Sequence, residues 1–251
     1  MNAFASLILR DLKLFYRQKS RLIGTLVTPL LFFLLLSKGI SATGAQGFFG
    51  SENYTQFLVP GILILSAVFT AIFSSIGLIQ DKSNGVLQSL WVSPLSRLTL
   101  ILSKSFSAAI IATIQSAFIL VLLPFLGMSI AFVVFSKIMA ILFLTVLVLS
   151  SLSFLFAWKI DSVEGFHSVM NLVIMPMWFL SGGIFPIQNS SGVLLKIAQL
   201  NPLFYGTRSI QSLLFQGFSE SFLVDLVFLL MAFLLLSFVS YRLLKKQSLY
   251  V

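Results

Sequence analysis

Long continuous apolar runs, rather than alternating positions, organise this chain. A membrane-crossing helix needs about 20 mostly apolar residues, and six runs approach that length. They cover about Leu22 to Leu36, Phe57 to Ile79, Ser105 to Leu126, Ile138 to Trp158, Val169 to Ile184 and Phe222 to Leu244. The first and fifth are short for a straight crossing. The fifth contains Pro176 and ends in Gly182-Gly183, both signals of a break. Strands of a membrane barrel would alternate over about ten residues; these runs do not. The expected fold is an all-α membrane protein with six transmembrane helices in a single domain, 1–251.

Before the first run, residues 1–21 have a helical rhythm. Phe4, Leu7, Ile8, Leu12, Phe15 and Tyr16 share one face at 3.6 spacing, with Arg10, Lys13, Arg17 and Arg21 nearly opposite. This pattern predicts an amphipathic interface helix lying in the headgroup layer, its cations on lipid phosphate. Asp11 interrupts the apolar face. Two readings stand: a partly exposed acid near a helix start, or a contact to a cytoplasmic partner. A basic start, an apolar run and Ser41-Ala42-Thr43-Gly44-Ala45 also have the outline of a cleaved signal peptide. The leader's own helical pattern argues against that.

Composition supports the membrane reading. Charged residues are 9% of the chain and apolar types 58%, with mean hydropathy +1.05; a soluble domain has roughly 25% charged residues. Of 16 Lys and Arg, twelve fall on one side of a six-span arrangement and four on the other. The positive-inside rule then places both termini in the cytoplasm. The net charge of +9 therefore calls for no nucleic acid. No cysteine is present, which removes disulfides and thiolate metal sites.

Two connecting segments are informative. Residues 80–97 run from Gln80-Asp81 through the turn Asn84-Gly85 to Leu87, Leu90 and Trp91, then Ser93-Pro94 and Arg97. The spacing of Leu87, Leu90 and Trp91 predicts a short cytoplasmic helix with an aromatic knob, ended by Pro94. It suits a groove of a partner protein or the membrane surface equally. On the other side, residues 185–220 carry two helical stripes, Val193-Leu194-Ile197-Ala198 and Ile210-Leu213-Leu214. They fit short re-entrant helices or a surface-lying pair; Pro176 and Gly182-Gly183 favour the former.

Catalytic and metal chemistry find little support. The single histidine, His167, stands three residues from Glu164 without a third ligand. Asp225 sits in the first turn of the last run, where the helix dipole favours an anion. Span centres are nearly free of charge, which argues against an ion-coupled carrier. The sequence contains no G-x-x-x-x-G-K-[ST], so it holds no P-loop of its own.

The stretch Gly85-Val86-Leu87-Gln88-Ser89-Leu90-Trp91-Val92-Ser93-Pro94-Leu95-Ser96-Arg97, followed by Lys104, resembles the most recognisable motif of ABC-2 type transporter permeases. Met175-Pro176, Leu180-Ser181-Gly182-Gly183, Phe185-Pro186 and Leu200-Asn201-Pro202-Leu203 with Tyr205 are similar to that family's second signature. Asp81 stands where many members carry Glu. The resemblance implies a separate ATPase subunit that holds ATP and Mg, and a permease dimer, expected to be a homodimer, in a prokaryotic plasma (inner) membrane. It also implies that Asp81, Gly85, Leu87, Leu90, Trp91, Ser93, Pro94, Arg97 and Asp11 face the ATPase, with Lys159 to Glu164 as a second contact. No cofactor is expected on this chain. The expected function is export of an amphipathic or lipid-linked substrate, since the spans offer few polar side chains and 27 Phe. The alternatives are a non-transporting membrane assembly or structural protein, and an intramembrane enzyme.

Overall fold

The computed structural model describes residues 3–42, 54–86, 96–187, 192–216 and 221–247. Among them every regular element is helical. α1 spans Ala3–Arg17, α2 Lys19–Ala42, α3 Tyr54–Ser83, α4 Arg97–Val121, α5 Phe132–Lys159 and α6 Val163–Phe179. α7 follows at Val193–Gln199, α8 at Pro202–Gln211 and α9 at Ser221–Gln247, with a π-helical turn at Ser212–Gln216.

Among the described residues, five helices are long and apolar enough to cross a membrane: α2, α3, α4, α5 and α9. α6, which holds most of the fifth apolar run, has 17 residues. At 1.5 Å per residue that is about 25 Å, short of the roughly 30 Å hydrocarbon layer. It stops at Phe179, three residues after Pro176, and the chain turns through Gly182 at φ 85°. The signals of a break therefore correspond to a real helix end.

α3 is the axis of the bundle. It packs against α2, α4, α5, α6 and α8, and its residues from Leu58 to Ala67 are buried without interruption. Its run is apolar all round because it has neighbours all round. α2 and α9 lie at the periphery, with Leu35, Leu235 and Met231 exposed. α6 presents one stripe, Phe166, Met170, Ile174 and Trp178, to the bundle at i, i+4 spacing.

Polar side chains join the helices at mid-depth. Gln115 of α4 donates to Thr25 of α2 at 2.7 Å and accepts from Thr70 of α3 at 2.6 Å. Ser105, Ser151 and Ser237 form a looser ladder across α4, α5 and α9, at 3.3 and 3.5 Å. With both amide atoms used, Gln115 is tolerated in an apolar surrounding.

Candidate functional site

One end of the bundle carries the ends of α3 and α5, the starts of α2 and α4, and α1 beside them. α1 places Leu7, Asp11 and Phe15 on one face at i, i+4 spacing, and Leu7 and Phe15 are buried. That face lies on α4, and the ring of Phe4 meets Phe106 edge-on at 5.6 Å. Asp11 points into the same contact, which explains an acid on an apolar face. Its partner is Lys104, at 3.0 Å. Tyr16, assigned by its spacing to the apolar face, is instead 77% exposed.

Lys104 is itself buried and bonds a second carboxylate, Asp81 of α3, at 3.0 Å. The other oxygen of Asp81 takes the guanidinium of Arg10. Four charges from three helices thus form one connected cluster. Burial pushes the Asp11 carboxyl above its ordinary range, against the opposing pull of Lys104 and Arg10. Its Oδ2 receives no hydrogen bond, so among the described residues Lys104 is the one side chain that hydrogen-bonds it. The cluster borders a polar cleft of about 290 Å³, also lined by Gln18, Arg21, Gln80 and Asn84.

The candidate residues divide into three sets. Arg10 and Arg21, expected on lipid, turn inward: Arg10 to Asp81, and Arg21 to the Gln80 side-chain oxygen at 2.7 Å. Lys13 and Arg17 remain exposed and border a groove on the outer side of α1. Gly85 adopts φ 72° in a turn directly after α3, a conformation in which glycine avoids a side-chain clash. Arg97 opens α4, whose N-cap Ser96 accepts from the Thr99 amide at 3.1 Å. Leu87, Leu90, Trp91, Ser93 and Pro94 lie outside the described residues. In the second expected contact, Lys82 donates to the Trp158 carbonyl at 2.9 Å and pairs with Asp161. His167 packs edge-on against Phe73, and no cluster of three metal-ligating residues occurs among the described residues.

The opposite end is built from close backbone approach. A Cβ on Gly61 of α3 would collide with the Gly183 backbone, and one on Gly183 with Gly61. Trp178 Nε1 donates to the Gly61 carbonyl at 2.9 Å, beside this crossing. The two short helices of the 185–220 segment behave differently. α7 keeps Val193, Leu194 and Ile197 exposed and buries Ala198. α8 is enclosed by α3, α5 and α9, and a Cβ on its Gly206 would stand 2.6 Å from Thr145 Oγ1, midway along α5. Asp225, fully buried, takes the guanidinium of Arg208 and, at 2.7 Å, the hydroxyl of Ser209, both from α8. The helix-dipole reading missed this pair because its members belong to separate elements.

Comparison with known proteins decides the family. The ABC-2 type transporter model matches residues 2–215. The chain belongs to the ABC-2 type transporter family. A putative transport permease ycf38 of Cyanophora paradoxa is 30% identical over 208 residues, covering 80% of this chain and 71% of that protein. Nodulation protein J of Neorhizobium galegae is 26% identical over 190 residues, 72% of this chain and 69% of that protein. The probable multidrug ABC transporter permease YbhR of Escherichia coli K12 is 27% identical over 164 residues, 60% of this chain and 41% of that protein. The matched region of this ABC-2 permease includes both the ion cluster and the glycine crossing.

Proposed function

We propose that this chain is the transmembrane subunit of an ATP-driven exporter, powered by a separate ATPase that holds ATP and Mg. The carrying observation is the position of α1: it lies against α4, beside the last turn of α3, at the two feet of the 80–97 loop. One end of the bundle therefore brings α1 beside both ends of the 80–97 segment, which supports a partner surface there. The basic excess of the flanking residues supports a cytoplasmic location for that end. The permease relatives support transport as the activity, and the multidrug ABC permease among them supports an ABC ATPase as the partner.

In this reading both termini are cytoplasmic and the protein sits in the prokaryotic plasma (inner) membrane as a homodimer. α6 with the turn after it completes a sixth crossing, and α8 is a re-entrant helix. The burial of α8 beside Thr145 supports that, because backbone at membrane depth must be covered by protein. α1 also meets lipid phosphate through Lys13 and Arg17. ATP-driven closure of the ATPases pushes α1 and the loop, and the helices rock to open a path for an amphipathic or lipid-linked substrate. An apolar groove of about 340 Å³ between α2, α3 and α4, lined by Leu30, Phe33, Val59 and Ile119 among others, fits an apolar portion of such a molecule.

The test is copurification from the native host with a P-loop ATPase, followed by ATP hydrolysis and export in vesicles for Leu87→Asp and Trp91→Ala. Loss of coupling with the complex still assembled is the expected result. Failure to recover any ATPase, or full coupling in both variants, would overturn the reading.

A further inference from the structure

The ion cluster at the charged end is a closed triangle. Arg10 to Asp81 joins α1 to α3, Asp11 to Lys104 joins α1 to α4, and Asp81 to Lys104 joins α3 to α4. Each pair of helices is tied once. The Asp11, Asp81 and Lys104 side chains are each only 9–11% exposed. Pulling any one helix away leaves a charge without its partner in a poorly solvated place, which is strongly unfavourable. Asp81 lies two residues before the end of α3, and α4 begins at Arg97. The triangle therefore grips both feet of the 84–96 segment and the interface helix together.

We infer that Lys104 is a positioning residue for energy coupling: it locks α1 and the two feet of the loop into one rigid unit, so that force applied to either piece moves both. This rests on the reading that an ATPase engages that end. The geometry assigns the role to Lys104 rather than to Arg10. Lys104 closes two of the three sides. Among the described residues Asp11 has no other hydrogen-bonding side chain, as its Oδ2 receives no hydrogen bond. Asp81, by contrast, keeps Arg10 when Lys104 is removed. Losing the Lys104 charge should thus loosen α1 on α4, leaving only the apolar contact of Leu7, Phe15 and Phe4 there, while the Arg10–Asp81 tie to α3 remains.

The chain has no cysteine, so introduced cysteines carry spin labels without background. One pair, Lys13→Cys with Leu98→Cys, reports α1 against α4. A second, Lys13→Cys with Ser83→Cys at the exposed last residue of α3, reports α1 against α3. Distances are read by pulsed electron spin resonance on the full chain in nanodiscs, with and without Lys104→Met. The expected result is a distribution roughly two-fold broader or more for the first pair, little change in the second, and a return to the narrow form with Lys104→Arg. An unchanged first pair, or equal broadening of both, overturns the inference. Should Lys104→Met fail to fold, Asp11→Asn weakens the α1–α4 side alone and must broaden the first pair.

Adding the ATPase and a non-hydrolysable ATP analogue tests the link to coupling. The α1–α4 distance should hold steady in the parent and change in Lys104→Met; a change in both, or in neither, counts against the rigid unit. An ATPase that does not bind at all sinks the proposed function while leaving the distance results on the permease alone to judge the triangle.

Discussion

The two ends of this bundle are held by different physics. At the charged end, helices meet through ionised side chains at the tips of long stems: Arg10, Asp11, Asp81 and Lys104. At the other, α3 meets the turn after α6 with no side chain between them, at Gly61 and Gly183. Each charge pair is undone by changing one side chain; a backbone contact is not, because any added atom must displace a whole segment. The charged end is thus a unit that single substitutions can unfasten, and the packed end a unit held by shape alone.

The largest effect expected comes from breaking the packed end. Gly61→Leu should destabilise by more than about 3 kcal/mol, since neither helix nor turn can yield to a Cβ at that place. Thermal unfolding in nanodiscs, followed by tryptophan fluorescence, checks it. Trp178 donates to the Gly61 carbonyl, so in a background with Trp91 and Trp158 replaced by Phe its signal reports the site. A well-folded Gly61→Leu protein would show that shape does not fasten this end.

Next in size is Arg208→Met. It strands the fully buried Asp225 with the Ser209 hydroxyl as its remaining side-chain donor among the described residues. The expected cost is about 3 kcal/mol, by the same unfolding assay. Arg208→Lys should recover only part of it, because an ammonium cannot match the fork that binds both carboxylate oxygens. Equal behaviour of Met and Lys would mean that charge at the packed end matters no more than shape.

How much of this could be read from the residues differs between the two ends. The apolar runs located the long helices because their length and continuity are local properties. The break in the fifth run was legible in Pro176 and Gly182-Gly183. Asp11 was visible as an anomaly, an acid among apolar neighbours; Lys104, 93 positions away, was not visible as its answer. Gly61 carries no signal at all, because a glycine after Pro60 inside an apolar run marks neither turn nor cap. The stripes of α7 and α8 look alike in sequence, yet one is exposed and the other enclosed. Close approach at Gly206 separates them, and that depends on Thr145 and Ile64, both distant in the chain. Arg10 and Arg21 were assigned to lipid by face; acceptors on α3 draw both inward.

Between the ends, Gln115→Met tests whether the middle belongs to one regime or the other. It removes both bonds that link α2, α3 and α4, but Thr25 and Thr70 retain bonds to their own helix backbones. The loss expected is about 1 kcal/mol, in line with polar contacts inside membrane bundles. A loss as large as that of Arg208→Met would make the mid-bundle clamp, rather than either end, the principal fastening.

The smallest effect separates two kinds of ion pair at the charged end itself. Asp161 pairs with Lys82, but Asp161 is 85% exposed, whereas Asp11 and Asp81 are nearly buried. Water solvates an exposed carboxylate about as well as an ammonium does, and holding two long side chains together costs rotamer freedom. Lys82 also keeps its bond to the Trp158 carbonyl and its place 5.8 Å above the Trp158 ring without Asp161. Asp161→Asn should therefore change stability by no more than about 0.5 kcal/mol, and should leave the α1–α4 distance distribution as narrow as in the parent. A neutral Asp161→Asn beside a disruptive Asp11→Asn would show that burial, not the presence of opposite charges, makes the triangle a fastening. A large effect at Asp161 would instead tie the α5–α6 connection into the same unit and extend the rigid body beyond three helices.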